Sequence, residues 1–477
     1  MIESSWTFRT IRGNKSEQFS FLGTNTDLKT MKSRTTFYTA LMRLLCIDLG
    51  DDEVLFNRFM EPISESLDEL VKGFGGLPDS TIAAQNDAKR AVIGLARDIR
   101  GVAYASNSKT AYIMLFDWIY PNYLAVFHRA LEVWCGDPDV TTPILKLFCE
   151  LCQNRSQRLQ FDVSSPNAIL LFKEASKLIC AYGSRILNLG EVSKEQMYKH
   201  RLKGITLCFG ILKAALCGAY VNFGVFRLYG DPCLEDVLAV FVKLLLYVPQ
   251  REMLAYQKLS QNYYFLLECL SQDHLNFISN LEPDIFVYIL QSLQEGLTAL
   301  DTMVCTCCCS TLDFLVSYLY RRLSRAGKPR KSHVGMPPEG DNCLRTLEQR
   351  PDILRQMLSG ILNIVMFEEC RCQWSMSRPL LGLILLQEEA FTQLKNQLIS
   401  SQPSAKQQTL NECINKLMDG IERNLSIKNK DRFTQNLSTF RREVADVMKA
   451  GQAPTINSQQ GSLPSSGSSA MGLDMMS

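Results

Sequence analysis

Charge of one sign is nearly lacking as a surplus: 51 Lys and Arg face 49 Asp and Glu, a formal net charge of +2. So even a balance supplies no overall field for steering onto DNA, RNA or an anionic membrane, and nucleic acid is not an expected partner. Histidine is scarce as well, with His128, His200, His274 and His333 scattered along the chain. No G-x-S-x-G, Walker A or H-E-x-x-H motif occurs, so nothing marks an activated serine, a phosphate cradle or a zinc-bound water. The near miss Gly73-Phe74-Gly75-Gly76-Leu77-Pro78 has proline where a dinucleotide loop needs its third glycine. Asp117 beside Trp118 is expected to cap or pair between helices rather than act as an acid. The sequence is therefore read as no enzyme, with no cofactor and no metal.

Cysteine is plentiful, at 17 residues. Cys46, Cys149, Cys180, Cys208 and Cys269 fall inside apolar helical stripes, where a thiol behaves as a small buried hydrophobe. The opening MIESSWTFRTIRGNKSEQF has no apolar run of the secretory kind, which points to reduced thiols in the cytosol or nucleus. The cluster Cys305-Thr306-Cys307-Cys308-Cys309, the pair Cys370/Cys372 and the C-x-x-C spacing at Cys149/Cys152 invite a zinc or redox reading. Adjacent helical cysteines diverge, however, and a structural zinc site needs convergent pairs. The expectation is small side chains that let helices approach closely. Gly204 to Phe226 is long enough to span a bilayer, but Lys213 at its centre would cost about 2.5 to 3.5 kcal/mol there. No membrane insertion is expected.

What fills the sequence is helical periodicity. From Ser108 to Phe172 apolar residues recur at i, i+3, i+4 spacing (Tyr112, Leu115, Phe116, Ile119, then Leu124, Phe127, Leu131, then Ile144, Leu147, Phe148, Leu151), broken at Pro121 and at Gly136-Asp137-Pro138. None of these helices is long enough to bury its own stripe, so each must lie against the next, which is the logic of a helical-repeat solenoid. Similar stripes begin near Thr35 with Phe37, Leu41, Leu44 and Leu45, and continue to Val447. Asp79 or Ser80 is expected to cap a helix carrying Val92, Leu95, Ile99 and Val102. Further helices are read over Leu254 to Leu270 and Pro379 to Leu398, with stripes Ile285 to Leu300 and Leu410 to Leu425. The expected organisation is a poorly ordered lead-in (1–30), helical repeats (31–324), an exposed basic loop (325–342), further repeats (343–449) and a disordered Ser/Gly-rich tail (450–477). The fold class is all-α.

Two basic segments are candidate protein-binding sites. Arg155 and Arg158 lie at a bend, where a guanidinium can pair across repeats or meet a partner's carboxylate. Arg321, Arg322, Lys328, Arg330 and Lys331 belong to a run with no acid, which could dock an acidic partner or serve for localisation; a helix C-terminus followed by a wet loop accounts for most of it.

Longer runs carry more than pattern. NRSQRLQFDVSSPNAILLFKEASKLI (Asn154 to Ile179), AYVNFGVFRLYGDP (Ala219 to Pro232), EGLTALDTMV (Glu295 to Val304), QWSMSRPLLGLILL (Gln373 to Leu386) and DRFTQNLSTFRREV (Asp431 to Val444) closely resemble the exportin-7 subfamily of importin-β-like (karyopherin-β) nuclear transport receptors. The resemblance implies HEAT-type repeats in an ARM-like superhelix that carries protein cargo through the nuclear pore with Ran-GTP, shuttling between nucleus and cytoplasm and meeting nuclear pore proteins. It also implies a carboxy-terminal part only, so no Ran contact is assigned to a residue. The alternative is a truncated helical scaffold that binds proteins without Ran-dependent transport.

Overall fold

The computed structural model describes residues 19–22, 26–162, 164–326, 341–367 and 372–449, and within them every regular element is a helix. The helices form two layers. In the first, Ser33–Leu45, Asn86–Ala105, Pro138–Leu151, Lys203–Leu216, Gln257–Asp273, Thr302–Ala326, Gln373–Leu386 and Ile427–Lys449 pack each against the next in an unbroken series. The second layer contains Glu53–Phe74, Asn122–Val133, Asn167–Ile186, Cys233–Tyr247, Pro283–Leu297 and Asp352–Phe367. One apolar core runs through the interface of the layers from Met31 to Val444. This is a HEAT-type helical-repeat solenoid, stabilised by neighbour-to-neighbour burial rather than by a central core.

The layers differ in how closely they are spaced. At Gly101 an added Cβ would lie 2.4 Å from the Thr35 carbonyl oxygen, so the first two helices of the first layer touch backbone to backbone. In the second layer shorter helices, Lys109–Ile119, Gly224–Tyr229, Leu275–Ser279 and Asn342–Gln349, fill extra length between the main ones.

Local chemistry accounts for many boundaries. Asp137 Oδ1 accepts the Asp139 amide at 2.9 Å and Pro138 occupies the first helical turn. Ser108 Oγ accepts the Ala111 amide at 3.2 Å, and the helix it starts ends before Tyr120-Pro121. Other expected boundaries need correction. Asp79 is the first residue of a separate five-residue helix, Asp79–Ala83, and caps nothing; Asn86–Ala105 starts afresh with no side-chain cap. The Leu254 to Leu270 segment begins after Tyr256, and Pro379 to Leu398 divides at Gln387 into two helices. The stripe to Leu425 stops at Leu417, followed by a turn in which Gly420 takes a left-handed φ of 65°. Leu44 and Leu300, read as stripe residues, are exposed: Leu44 lies one residue, about 100° of rotation, from the buried Leu45, and Leu300 lies beyond the helix end at Leu297.

Gly204–Phe226 is not one helix, since Lys203–Leu216 ends at Cys217 and a short helix resumes at Gly224. Among the described residues, the helix long and apolar enough to cross a bilayer is instead Thr302–Ser324, with 56% of its apolar window buried in the stack. Of the expected lead-in (1–30), residues 1–18 and 23–25 lie outside the described residues, while Ser20–Leu22 forms a 3-10 turn and Thr30–Lys32 another at its end; most of the basic loop (327–340) and the tail (450–477) also lie outside them.

Candidate protein-docking face

The Asn154 to Arg158 corner is a buried brace. Arg155–Gln157 forms a single 3-10 turn in which Ser156 (φ 49°) and Gln157 (φ 57°) take left-handed conformations, reversing the chain after Pro138–Leu151. The Arg158 side chain is driven inward and is 1% exposed. Its Nε donates to the Gln153 carbonyl at 2.9 Å, its Nη1 to the Ser106 carbonyl at 3.1 Å and to that of Ala103, and its Nη2 to the Glu150 carbonyl at 2.6 Å and carboxylate at 3.2 Å. The guanidinium also sits 5.0 Å from the centre of the Tyr112 ring. Burial pulls its pKa down, and Tyr112 and Glu150 oppose that. Every nitrogen is used within the chain. Arg158 as a partner-contact residue is therefore corrected to a tie between two first-layer helices. Arg155 shares Glu150 at 2.9 Å and stacks 4.4 Å above Tyr104, leaving its edge partly open on the first-layer face.

In the second basic segment, Arg321 is exposed, with Nε on the Ser317 carbonyl at 3.1 Å. Arg322 is drawn into a cluster with the Tyr318 hydroxyl (3.1 Å) and Asp341 (3.3 Å). Lys328, Arg330 and Lys331 lie outside the described residues. Arg155 and Arg321 lie far apart along the stack, so the sequence-predicted residues do not converge on one site.

The structure assembles a different one. Lys146, on Pro138–Leu151, is half-buried among four other cations: Arg100 from Asn86–Ala105, Lys203 at the start of Lys203–Leu216, Lys258 from Gln257–Asp273, and Lys32 just before Ser33–Leu45. Burial first, then these four charges, push its pKa down to about 8. Lys203 is lowered by the same causes, burial leading, followed by Lys32, with Asp139 opposing and Lys199 and Lys258 adding to the effect. Among the described residues none of Arg100, Lys146, Lys203 and Lys258 makes a hydrogen bond or ion pair. The result is a ladder of like charges, one rung per helix, across four successive first-layer helices.

A second row flanks it. Lys213 donates to Asn262 Oδ1 at 3.1 Å and lies 5.3 Å from the Phe265 ring. It shares the surroundings of the Cys149 thiol with Arg100 and Arg155. Farther along, the face changes sign: Glu268, Asp273 and Asp301 surround Cys217, Cys269 and Cys307. The sequence holds a faint signal for the ladder, a lone cation in an otherwise apolar helix, as in TTPILKLFCEL. The same signal at Lys213 bears on membrane insertion in the sequence, whereas in the fold it marks the contact with Asn262 and Phe265 on the next first-layer helix.

Among the described residues no three of His, Cys, Asp and Glu converge on a possible metal position. Cys305, Cys307, Cys308 and Cys309 are buried, and Cys370 lies outside the described residues. A Cβ on Gly296 would fall 2.4 Å from Cys308 Sγ, so glycine and cysteine together permit the close approach of Pro283–Leu297 to Thr302–Ala326. Asp117 Oδ1 accepts from Asn167 Nδ2 at 3.0 Å, pairing two helices of the second layer side.

No family model matches the sequence. Individual proteins do. The chain is 58% identical over 443 residues to Exportin-7-A of Xenopus laevis, covering 92% of this chain and 40% of that protein. It is 54% identical over 443 residues to Ran-binding protein 17 of Mus musculus and 50% identical over 441 residues to Ran-binding protein 16 of Drosophila melanogaster, again over 92% of this chain and 40% of each. The chain thus spans about 40% of the length of these relatives. Identity of this order along a continuous helical stack, with the quoted runs inside it, leads to one conclusion: the chain belongs to the exportin-7 and Ran-binding protein 16/17 family of importin-β-like transport receptors, and corresponds to part of their length.

Proposed function

We propose that this chain is the repeat-bearing part of a nuclear export receptor that carries protein cargo through the nuclear pore in a Ran-GTP-dependent manner. The observation that supports the reading is the 58% identity to Exportin-7-A over 92% of the chain. The fold suits the task. A stack in which each repeat touches only its neighbours changes curvature by summing small adjustments at many interfaces. Ran-GTP and cargo that each favour one curvature are then coupled reciprocally, commonly by about 1 to 3 kcal/mol. The first-layer face is the surface on which cargo is taken, with Arg155 partly open on it; Arg321 remains exposed for a separate contact. Nuclear pore proteins complete the set of partners, and the receptor shuttles between nucleus and cytoplasm.

The test is capture of cleared nuclear extract proteins on the immobilised chain, with Ran loaded with a non-hydrolysable GTP analogue or with GDP. Retention of Ran and of cargo together, only in the GTP state, is the expected result. Protein binding that ignores the nucleotide would replace this reading with that of a helical scaffold.

A further inference from the structure

We infer that Cys217 and Cys269 form a modification site, a dithiol that a hydroperoxide converts to a disulfide joining two successive first-layer helices. The register of Lys203–Leu216 against Gln257–Asp273 brings the two thiols together. A Cβ on Gly210 would lie 3.0 Å from Asn262 Nδ2, the Lys213 ammonium lies 5.3 Å from the Phe265 ring, and the Cys269 S–H donates to the Cys217 sulfur. These three pairs share one sequence offset. Along each helix they step by three and then four positions, which is a single helical face, so the two helices run side by side in the same direction. Asn262 pins the same interface, donating to the Thr206 carbonyl at 3.0 Å and accepting from Lys213 at 3.1 Å. The thiol contact is the next step of that register.

Access separates this pair from the other thiols. Among the described residues Cys217 is the one exposed cysteine, whereas Cys305, Cys308, Cys309 and Cys372 are buried. The turn that presents it is held from the opposite side: Asn154 Nδ2 donates to the Gly218 carbonyl at 2.7 Å, and the Tyr220 hydroxyl to the Cys152 carbonyl at 3.2 Å. Cys217 is thereby kept at a helix end with solvent on one side and Cys269 on the other. The Cys269 S–H stabilises the Cys217 thiolate most, and Lys213, one turn earlier, adds to it against burial, Asp273 and Glu268. The chemistry balances in two steps. The thiolate attacks one peroxide oxygen, the O–O bond breaks, and with one proton taken up the products are a Cys217 sulfenic acid and water or an alcohol. The Cys269 sulfur, losing its proton, then attacks the Cys217 sulfur, and the S–O bond breaks with release of water. The two sulfurs together lose two electrons and the peroxide gains them. Cys269 is 6% exposed, too enclosed to meet the peroxide first, which assigns it the resolving role. The bond fixes one repeat interface. It needs neither Ran nor cargo, so the inference stands apart from the transport reading.

The test treats the reduced 477-residue chain with hydrogen peroxide, blocks remaining thiols with iodoacetamide under denaturing conditions, and maps the peptides by mass spectrometry without reduction. The expected product is a cross-linked pair of peptides containing Cys217 and Cys269, lighter by two hydrogens than the two peptides apart and lost on adding dithiothreitol. In Cys269→Ser the sulfenic acid has no resolving thiol, so dimedone labelling of Cys217 should rise about ten-fold over the parent chain. Should that variant misfold, Cys217→Ser, on an exposed side chain, gives the converse reading: Cys269 should stay reduced at the same peroxide dose. Amides at the end of Gln257–Asp273 should exchange about three-fold slower or more in the oxidised chain and return to the parent rate on reduction. Cys217 carried to sulfinic acid without the cross-link, equal dimedone labelling of the parent chain and Cys269→Ser, oxidation of Cys269 in Cys217→Ser at the parent rate, or a Cys217 disulfide to any other cysteine would overturn the proposal.

Discussion

Replacing Arg158 by methionine removes a charge while roughly keeping volume, and so isolates the electrostatic part of the corner. In the native chain Glu150, 5% exposed, faces both Arg158 at 3.2 Å and Arg155 at 2.9 Å. Breaking a buried ion pair by removing one partner costs about 3 to 5 kcal/mol, because the other charge is left behind. Arg155 stays on Glu150, which places the cost at the lower end, about 3 kcal/mol. The carbonyls of Ala103 and Ser106 lose their donor in the same step, tying the loss to the C-terminal end of Asn86–Ala105. A repeat stack does not unfold in one step, so a single melting temperature would blur the effect. Hydrogen exchange resolved by segment is the suitable assay. Amides over 99–106 and 150–159 should exchange about 100-fold faster in Arg158→Met, and those of Ile427–Lys449 at the native rate. Adding Glu150→Gln should restore about 2 kcal/mol, the coupling expected of contacting groups. Exchange in the two segments within three-fold of the parent chain would refute the reasoning.

Other perturbations probe other parts of the stack. Because Lys146 is held at about 8 by burial, Arg100, Lys203, Lys258 and Lys32, the unfolded chain binds more protons from there up to about 10.4, the unperturbed lysine value. Local stability around Pro138–Leu151 should therefore rise with pH through that window; Lys146→Gln should remove the rise and stabilise the region by about 1 kcal/mol at pH 7, read by exchange at pH 7 and in melts up to pH 10. Gly101→Ala drives a Cβ to 2.4 Å from a backbone oxygen and should cost about 1 to 3 kcal/mol in the first repeats, whereas Gly73→Ala, with open space around it, should be neutral in the same denaturation experiment. Cys217 is exposed, and the Cys269 S–H donated to it lowers its pKa. Timed alkylation with peptide mapping should find Cys217 labelled before Cys308 and Cys309, which become reactive only on unfolding.

The periodic stripes fixed the all-α class and the need for stacking, since an amphipathic helix must bury its apolar face whatever its neighbours are. Tyr112, Leu115, Phe116, Ile144, Leu147 and Leu151 are core residues in the structure, as their 3.6-residue spacing predicts. Helix ends were legible where a side chain supplies the cap, as at Asp137 and Ser108, and illegible where no side-chain cap marks the break, as at Gln387. The two candidate basic segments were found as clusters along the chain, which is the proximity a sequence displays. Whether such a cation points to water or into a core depends on the local turn, and the left-handed Ser156 and Gln157 sent Arg158 inward. The ladder is the converse case. Arg100, Lys146, Lys203 and Lys258 are separated by about fifty residues each and become neighbours only because each occupies the same layer of a successive repeat. Charge repulsion acts through space rather than along the chain, so a sequence with a net charge of +2 can still present an unneutralised basic row once its helices are stacked.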